Sequence, residues 1–364
     1  MNPEFSKHLQ NIEDSIKHFL PSLSEPSWQK KTFGVLPEAV KAEHIHPLIE
    51  TTRSLVDLGG KRWRPLLLVL CARASSKIEK KTESENFAYK LSTLVEFVHT
   101  ASLIHDDIED KSESRRGKPA AYITFGMDTA INAGSWLYFQ APVCINDLDC
   151  NDALKLRLYA TYTEELRRLH LGQAMDIKWH NDNTKEPSQD EYIAMVKNKT
   201  GTLASLSAKI GTLASGADEE TVAKAGIIAA EIGAGFQIID DVINLTTGNP
   251  GKKRGDDIVE GKKSLPVLSF IEKNKDNKEK IAALHKCFER AGKEGIDSPA
   301  VEEAVLMLLE SNAVEEARRK GIEYINSGCE KFLELFGKEN PDALLIKELF
   351  ASMIPPSVKG EVHA

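Results

Sequence analysis

The chain has 364 residues, 41% hydrophobic and 28% charged, with a formal net charge of −8. That supplies ample apolar material for a large buried core, and the acidic balance argues against a surface built to coat nucleic acid. Cys71, Cys144, Cys150, Cys287 and Cys329 are odd in number and lack CxxC spacing, so they read as reduced cytoplasmic thiols and exclude a disulfide framework or a zinc site.

Taken in chain order, the first 19 residues are charged and amphipathic, with no secretory apolar core and too many acids for a transit peptide. No apolar run is expected to be long enough to span a bilayer. Apolar residues recur at helical spacing nearly everywhere, and no convincing strand emerges. Leu66–Ala72 reads as a core helix. Phe87, Leu91, Leu94, Val95, Val98 and Ser102 mark one face of a helix running into His105-Asp106-Asp107. The next helix is expected from Asp128, as N-cap, to about Asn146, and another from about Asn151 to Trp179, with a loop over 180–184.

Ser188 and Glu191 have the spacing of a capping box. A long helix rich in Ala and Gly, suited to close packing, follows Asp218 to about Leu245. Residues 246–263 read as a polar loop, and Ser298-Pro299 and Asn340-Pro341 as helix starts. The expected organisation is one helical domain over 1–364, with loosely held ends at about 1–30 and 355–364.

Two acidic motifs carry the strongest signal. In Asp106-Asp107-Ile108-Glu109-Asp110, Asp106 and Asp110 stand one above the other on a helix, with Asp107 beside them. Like charges so placed destabilise an isolated helix, and something must offset that. Hard oxygen donors at the end of an apolar helix suit Mg²⁺, usually held by one or two carboxylates plus substrate phosphates. Asp240-Asp241-Val242-Ile243-Asn244 repeats the design after Phe236-Gln237-Ile238-Ile239. One such motif is often only surface; two at the ends of two apolar helices would make a two-sided clamp for a diphosphate.

Basic segments accompany the acids. Gly59-Gly60-Lys61-Arg62-Trp63-Arg64-Pro65 places cations on a glycine turn at a helix start, a setting that favours anions. Ser114-Arg115-Arg116-Gly117-Lys118 follows the first acidic motif, and arginine pairs grip phosphate oxygens well. Lys252-Lys253-Arg254-Gly255-Asp256-Asp257, running on to Lys262-Lys263, follows the second. His99 lies two turns before Asp106. Lys199-Thr200, Gln173 and Asp176 are further polar residues, each of which alone could be structural.

In this order the segments GGKRWRP, HTASLIHDDIEDKSESRRGKPA, GQAMD, KNKTGTL, FQIIDDVINL and KRGDDIVEGKKSLP resemble the trans-isoprenyl diphosphate synthase family over about residues 55–270. The resemblance implies an all-α antiparallel helical bundle around a central catalytic cavity, the isoprenoid synthase fold, usually homodimeric. It implies an enzyme that joins isopentenyl diphosphate head to tail to allylic diphosphates (dimethylallyl, geranyl, farnesyl). Asp106, Asp107 and Asp110 on one wall, with Asp240 and Asp241 opposite, would hold a Mg²⁺ cluster on the allylic diphosphate. Lys61, Arg64, His99 and Arg116 would hold isopentenyl diphosphate. Arg115, Lys199 and Lys262 would contact the allylic diphosphate, and Lys253 would join them on loop closure. Thr200 and Gln237 would face the developing allylic cation. Asn244 stands where many members have Asp.

A class I terpene cyclase would need an Asn/Ser/Glu-type second metal motif, and a non-catalytic partner subunit should show eroded acidic motifs; neither pattern is present. Product length is expected to depend on Ala101 and Ser102, five and four residues before Asp106, and on Val98 one turn further back. Both nearer residues are small, whereas an aromatic there resembles a farnesyl-length stop. The expected product is therefore C20, geranylgeranyl diphosphate, ahead of C15 and then longer chains. Val98, with Phe97 beside it, or Trp136, Tyr138 or Phe139 from the facing helix would supply the tunnel floor.

Overall fold

Helical periodicity dictates the architecture, and the computed structural model, which describes residues 2–181, 186–248 and 253–355, is all-α apart from one short ribbon. Helix α1 (Pro3–Phe19) starts with Pro3 in its first turn and Asn2 accepting from the Glu4 amide. It buries Phe5, His8, Ile12, Ile16 and Phe19 at three- and four-residue spacing. The expected loosely held N-terminus is thus replaced, over residues 3–19, by an amphipathic helix with a buried face. Next come α2 (Pro26–Phe33), α3 (Ala42–Val56) and α4 (Trp63–Ser75), in which Leu66–Ala72 is buried throughout, as the apolar run predicts.

Helix α5 (Lys81–Glu109) carries the first acidic motif at its end and packs against α1, α4 and later α7. Ser114–Arg115 (β1) and Lys118–Pro119 (β2) then pair antiparallel, where no strand is expected from the sequence. The two turn residues, Arg116 and Gly117, both have positive φ (53° and 76°), as a two-residue hairpin of matching twist requires. Helices α6 (Ala121–Phe125), α7 (Met127–Gln140) and α8 (Val143–Asn146) follow. Here Gly126, not Asp128, occupies the cap of α7, and the helix expected to reach Asn146 ends at Gln140, just before Pro142.

Helix α9 (Asp152–Asn181) begins where expected but continues through His180 and Asn181, the first two residues of the expected loop; residues 182–184 lie outside the described residues. Helix α10 (Gln189–Val196) has the full capping box: Glu191 N–H donates to Ser188 Oγ at 3.2 Å, and Ser188 N–H to Glu191 Oε2 at 2.7 Å. A π-helical turn over Lys197–Gly201 leads into α11 (Thr202–Ala214), and α12 (Glu219–Thr246) bears the second acidic motif.

The remaining helices are α13 (Asp256–Val259), α14 (Leu265–Lys273), α15 (Lys278–Glu294), α16 (Pro299–Glu310), α17 (Ala313–Phe336) and α18 (Pro341–Met353). Thus α13 forms within a segment expected to be loop, whereas both Pro-started helices begin where expected. Ser298 Oγ accepts from the Ala300 amide and Asn340 Oδ1 from the Asp342 amide. Lys252 and the expected loose end beyond residue 355 lie outside the described residues.

The chain gathers into two compact units. The first comprises residues 1–165, 205–226 and 335–346; the second comprises 166–204, 227–334 and 347–364. In the second, α12 and α17 approach so closely that Gly235 faces the Gly321 carbonyl, bearing out the close packing read from the Ala/Gly pattern. By length and composition alone α12 could cross a membrane, which the sequence reading does not anticipate, but 61% of its most apolar stretch is buried within the fold.

Candidate active site

The first unit holds a cationic group built by three elements. Residues 59–62 carry Lys61, exposed, into the start of α4, whose first turn presents Arg64. Arg64 Nη1 lies 3.5 Å from His99 Nε2 on α5, and its guanidinium stacks 4.4 Å from the Trp63 ring. From the ribbon turn, Arg116 donates to the Gly59 carbonyl and lies against Gly60. Arg64 and His99 are therefore drawn together, with Arg116 set against the Gly59-Gly60 turn that precedes Lys61.

Electrostatics there favour an incoming anion. Burial pushes the Arg64 guanidinium down to about 10, with Glu96 opposing and Arg116 adding to the effect. Burial and the charges of Arg64, Arg116 and Arg115 hold His99 well below the ordinary histidine range, so it is neutral near pH 7. Among the described residues the buried Arg64 Nε has no hydrogen-bond partner. A buried donor left unpaired is costly, and an anion would satisfy it.

The first aspartate motif divides by role. Asp106 and Asp110 are half-buried, whereas Asp107 is only 1% exposed. Arg115, on β1, donates through Nε to Asp107 Oδ1 at 2.8 Å and reaches Asp106 Oδ2 at 3.4 Å. Burial alone would lower the Arg115 pKa, but the hydrogen bond and charge of Asp107, helped by Asp106 and Asp110, raise it. Asp107 thus fixes Arg115 beside Asp106.

The second unit holds the other predicted groups. Lys199 projects from the π-turn and pairs with Asp176 of α9 at 2.6 Å; such turns are frequent at functional sites. Thr200 donates to Gln237 Oε1 at 2.8 Å, and Gln237 Nε2 to Asp241 Oδ1 at 3.0 Å. Tyr192 OH donates to the other Asp241 oxygen at 2.5 Å. Burial and the nearby charge of Asp257 raise the Asp241 carboxyl to about 7, against the lowering effect of those two donors. Asp240, one residue earlier, is exposed. Lys262 pairs with Glu260 at 2.5 Å and lies 3.6 Å from Asp257.

Two further residues have partners of their own. Asn244 is buried, and its Oδ1 accepts from the Asp257 amide at 3.3 Å, so the amide side chain tethers α13. Lys253 pairs at 2.7 Å with Asp297. Tyr192, Asp257 and Glu260 belong to the site without having been singled out. Asp257 was legible as an acid within a basic segment, but nothing in the sequence aims Tyr192 at Asp241.

The expected chain-length residues also separate. Val98 and Ala101 are fully buried on α5, and the Ser102 hydroxyl bonds back to the His99 carbonyl at 2.8 Å. Phe139 is 78% exposed. Trp136 packs with Trp28 and Phe33 of α2. Tyr138 instead stacks on His105, beside Asp106, with ring centroids 5.6 Å apart.

Among the described residues no three His, Cys, Asp or Glu side chains gather closely enough to hold a metal alone. That donor set still fits Mg²⁺, which takes one or two carboxylates and completes its shell with phosphate oxygens and water. Burial chiefly, with the charges of Asp257 and Asp240 adding to it, raises the Asp241 carboxyl, and a nearby cation would offset that effect.

An all-α scaffold with aspartate motifs at two helix ends and arginine and lysine groups beside each is the isoprenoid synthase fold of a prenyl-transferring enzyme. Residues 46–303 match the Polyprenyl synthetase family, and the chain belongs to it. A geranylgeranyl diphosphate synthase from Methanosarcina mazei is 32% identical over 323 residues, 88% of this chain and 93% of that one. A geranylgeranyl pyrophosphate synthase from Geoglobus acetivorans is 31% identical over 315 residues, 86% and 92% of the two chains. The crystal structure of geranylgeranyl pyrophosphate synthetase from Pyrococcus horikoshii superposes with a TM-score of 0.77 at 26% identity, covering 95% of this chain and 97% of that one. The protein is a trans-prenyltransferase acting on isoprenyl diphosphates.

Proposed function

We propose that this enzyme adds isopentenyl diphosphate to allylic diphosphates with Mg²⁺ and stops at C20, geranylgeranyl diphosphate. The observation that carries the reading is the buried, anion-seeking Arg64 group beside an aspartate motif that already fixes its own arginine. The whole of 1–364 is read as one catalytic domain.

Lys61, Arg64 and Arg116, with neutral His99 as a hydrogen-bonding neighbour, hold the homoallylic diphosphate; the anion relieves repulsion among the cations. Arg115, Lys199 and Lys262 contact the allylic diphosphate, each aimed by a carboxylate partner: Asp107, Asp176 and Glu260. Asp106, Asp110, Asp240 and Asp241 are the metal donors, with Asp107 as a positioning residue. Bound Mg²⁺ supplies positive charge that stabilises the departing diphosphate. The Thr200 proton is committed to Gln237, so its oxygen offers lone pairs toward the allylic cation. The isopentenyl alkene attacks C1 of that cation, and a proton is lost to the released diphosphate. No side-chain general base is required.

Lys61→Ala should raise the KM for isopentenyl diphosphate about tenfold, the scale of one charge-assisted contact, and leave the allylic KM nearly unchanged. Lys262→Ala should do the reverse. Steady-state kinetics with each substrate varied checks the split, and a Lys61→Ala effect confined to the allylic substrate would reverse the assignment.

Product length rests on the small, buried Ala101. Packed interiors yield little to an added ring, so Ala101→Phe should move the main product from C20 to C15 by mass spectrometry. An unchanged C20 product from the folded variant would remove Ala101 from the tunnel. Tyr138, stacked on His105, replaces Trp136 and Phe139 as the aromatic nearest the reacting end.

A homodimer is part of the proposal. It is supported by the exposed Ile131 and Phe139 of α7 and Leu156 of α9, apolar side chains that association would cover. The free cysteines, four of them buried, suit a reducing, cytoplasmic setting.

A further inference from the structure

Arg62 lies inside the GGKRWRP segment, yet it faces away from any ligand role. It is 5% exposed and sits at the cap of α4 with φ 46° and ψ 28°, the left-handed region that a residue with a Cβ rarely occupies. Such a conformation persists only where its surroundings over-determine it. Here three hydrogen bonds do so. Nε donates to Glu13 Oε1 at 2.7 Å, Nη1 to Glu96 Oε1 at 2.5 Å, and Nη2 to the Val56 carbonyl at 2.7 Å.

The partners come from three places. Val56 ends α3, the helix leading into this loop. Glu96 lies on α5, one turn before His99. Glu13 lies on α1, outside the 46–303 span that matches the family. Helix α1 is itself firmly seated: Ile12 and Ile16, on either side of Glu13, are buried, and the buried His8 ring bonds to Tyr89 of α5 at 2.7 Å. The carboxylate of Glu13 is therefore held at a fixed point against Arg62. Because Arg62 stands between Lys61 and Arg64, its backbone angles set where both cations point.

We propose that Glu13 is a positioning residue for the homoallylic diphosphate: through Arg62, the N-terminal helix tunes the isopentenyl diphosphate site. The inference rests on the assignment of Lys61 and Arg64 to that substrate. Breaking one ionic hydrogen bond on a positioning arginine should relax the loop without removing any ligand group.

The test compares wild type, Glu13→Ala, Glu13→Gln and Lys61→Ala, measuring KM for each substrate and the melting temperature. Glu13→Ala should raise the isopentenyl diphosphate KM about fivefold, and Glu13→Gln, which keeps an acceptor, about twofold. The allylic KM should stay constant in both. If neither folded Glu13 variant raises the isopentenyl KM selectively, or if both KM values rise together, the inference is overturned. Should Glu13→Ala fail to fold, Glu13→Gln decides alone. A Lys61→Ala variant with normal isopentenyl KM would instead overturn the underlying site assignment.

Discussion

Asp106→Ala and Asp240→Ala should each lower turnover about 10²- to 10³-fold, the scale on which removing one stabiliser of transition-state charge acts. Neither change should unfold the protein. Asp106 is half-buried at the end of a helix whose core face is Leu91, Leu94, Val98 and Ala101, and Asp240 is exposed. Removing either also lessens repulsion among neighbouring carboxylates. Asp107→Ala should behave differently, because it leaves Arg115 without its closest partner and lowers stability as well as activity. Chelation of Mg²⁺ should abolish turnover in the wild type. Kinetics alongside circular dichroism checks all of these outcomes. Near-normal condensation by either the Asp106 or the Asp240 variant would contradict joint action of the two motifs on one diphosphate.

Gly201→Ala should be strongly damaging although it adds only one methyl group near the site. A Cβ at Gly201 would lie 2.6 Å from the Ala230 carbonyl oxygen and 3.2 Å from Ala230 Cα, both backbone atoms that cannot rotate aside. The π-turn would have to move away from α12, carrying Lys199 and Thr200 with it and stretching the 2.8 Å bond from Thr200 to Gln237. Overpacking of this kind costs about 1–3 kcal/mol. The expected outcome is a lower melting temperature and a fall in kcat larger than any change in the isopentenyl diphosphate KM. An unchanged melting temperature with full kcat would mean that the turn tolerates displacement.

What the sequence made legible follows from what is local. Helix positions were readable because burial imposes a 3.6-residue period, and Ser188, Ser298 and Asn340 announce their helices through caps that act within three residues. The α12 pattern announced close packing because only small side chains let backbones touch. Errors arose where tertiary contacts override local preference. Residues 3–19 are amphipathic in sequence, but that pattern does not say which surface seats their apolar face. The Arg115–Lys118 ribbon is too short to show a period.

The same limit explains the site. Residue types and spacing exposed the aspartates and the basic groups. They could not show that Asp107 turns toward Arg115, that Asn244 tethers α13, or that Lys253 pairs with Asp297. Nor could they show that Trp136 faces Trp28 and Phe33, since side-chain direction on a helix depends on neighbours distant in sequence.

The most direct test of the account is product analysis by mass spectrometry after incubating the purified chain with Mg²⁺, isopentenyl diphosphate and dimethylallyl, geranyl or farnesyl diphosphate in turn. The account predicts elongation of every primer, with geranylgeranyl diphosphate as the main end product and none once Mg²⁺ is chelated. Folded protein that elongates none of the three primers in the presence of Mg²⁺ would contradict it.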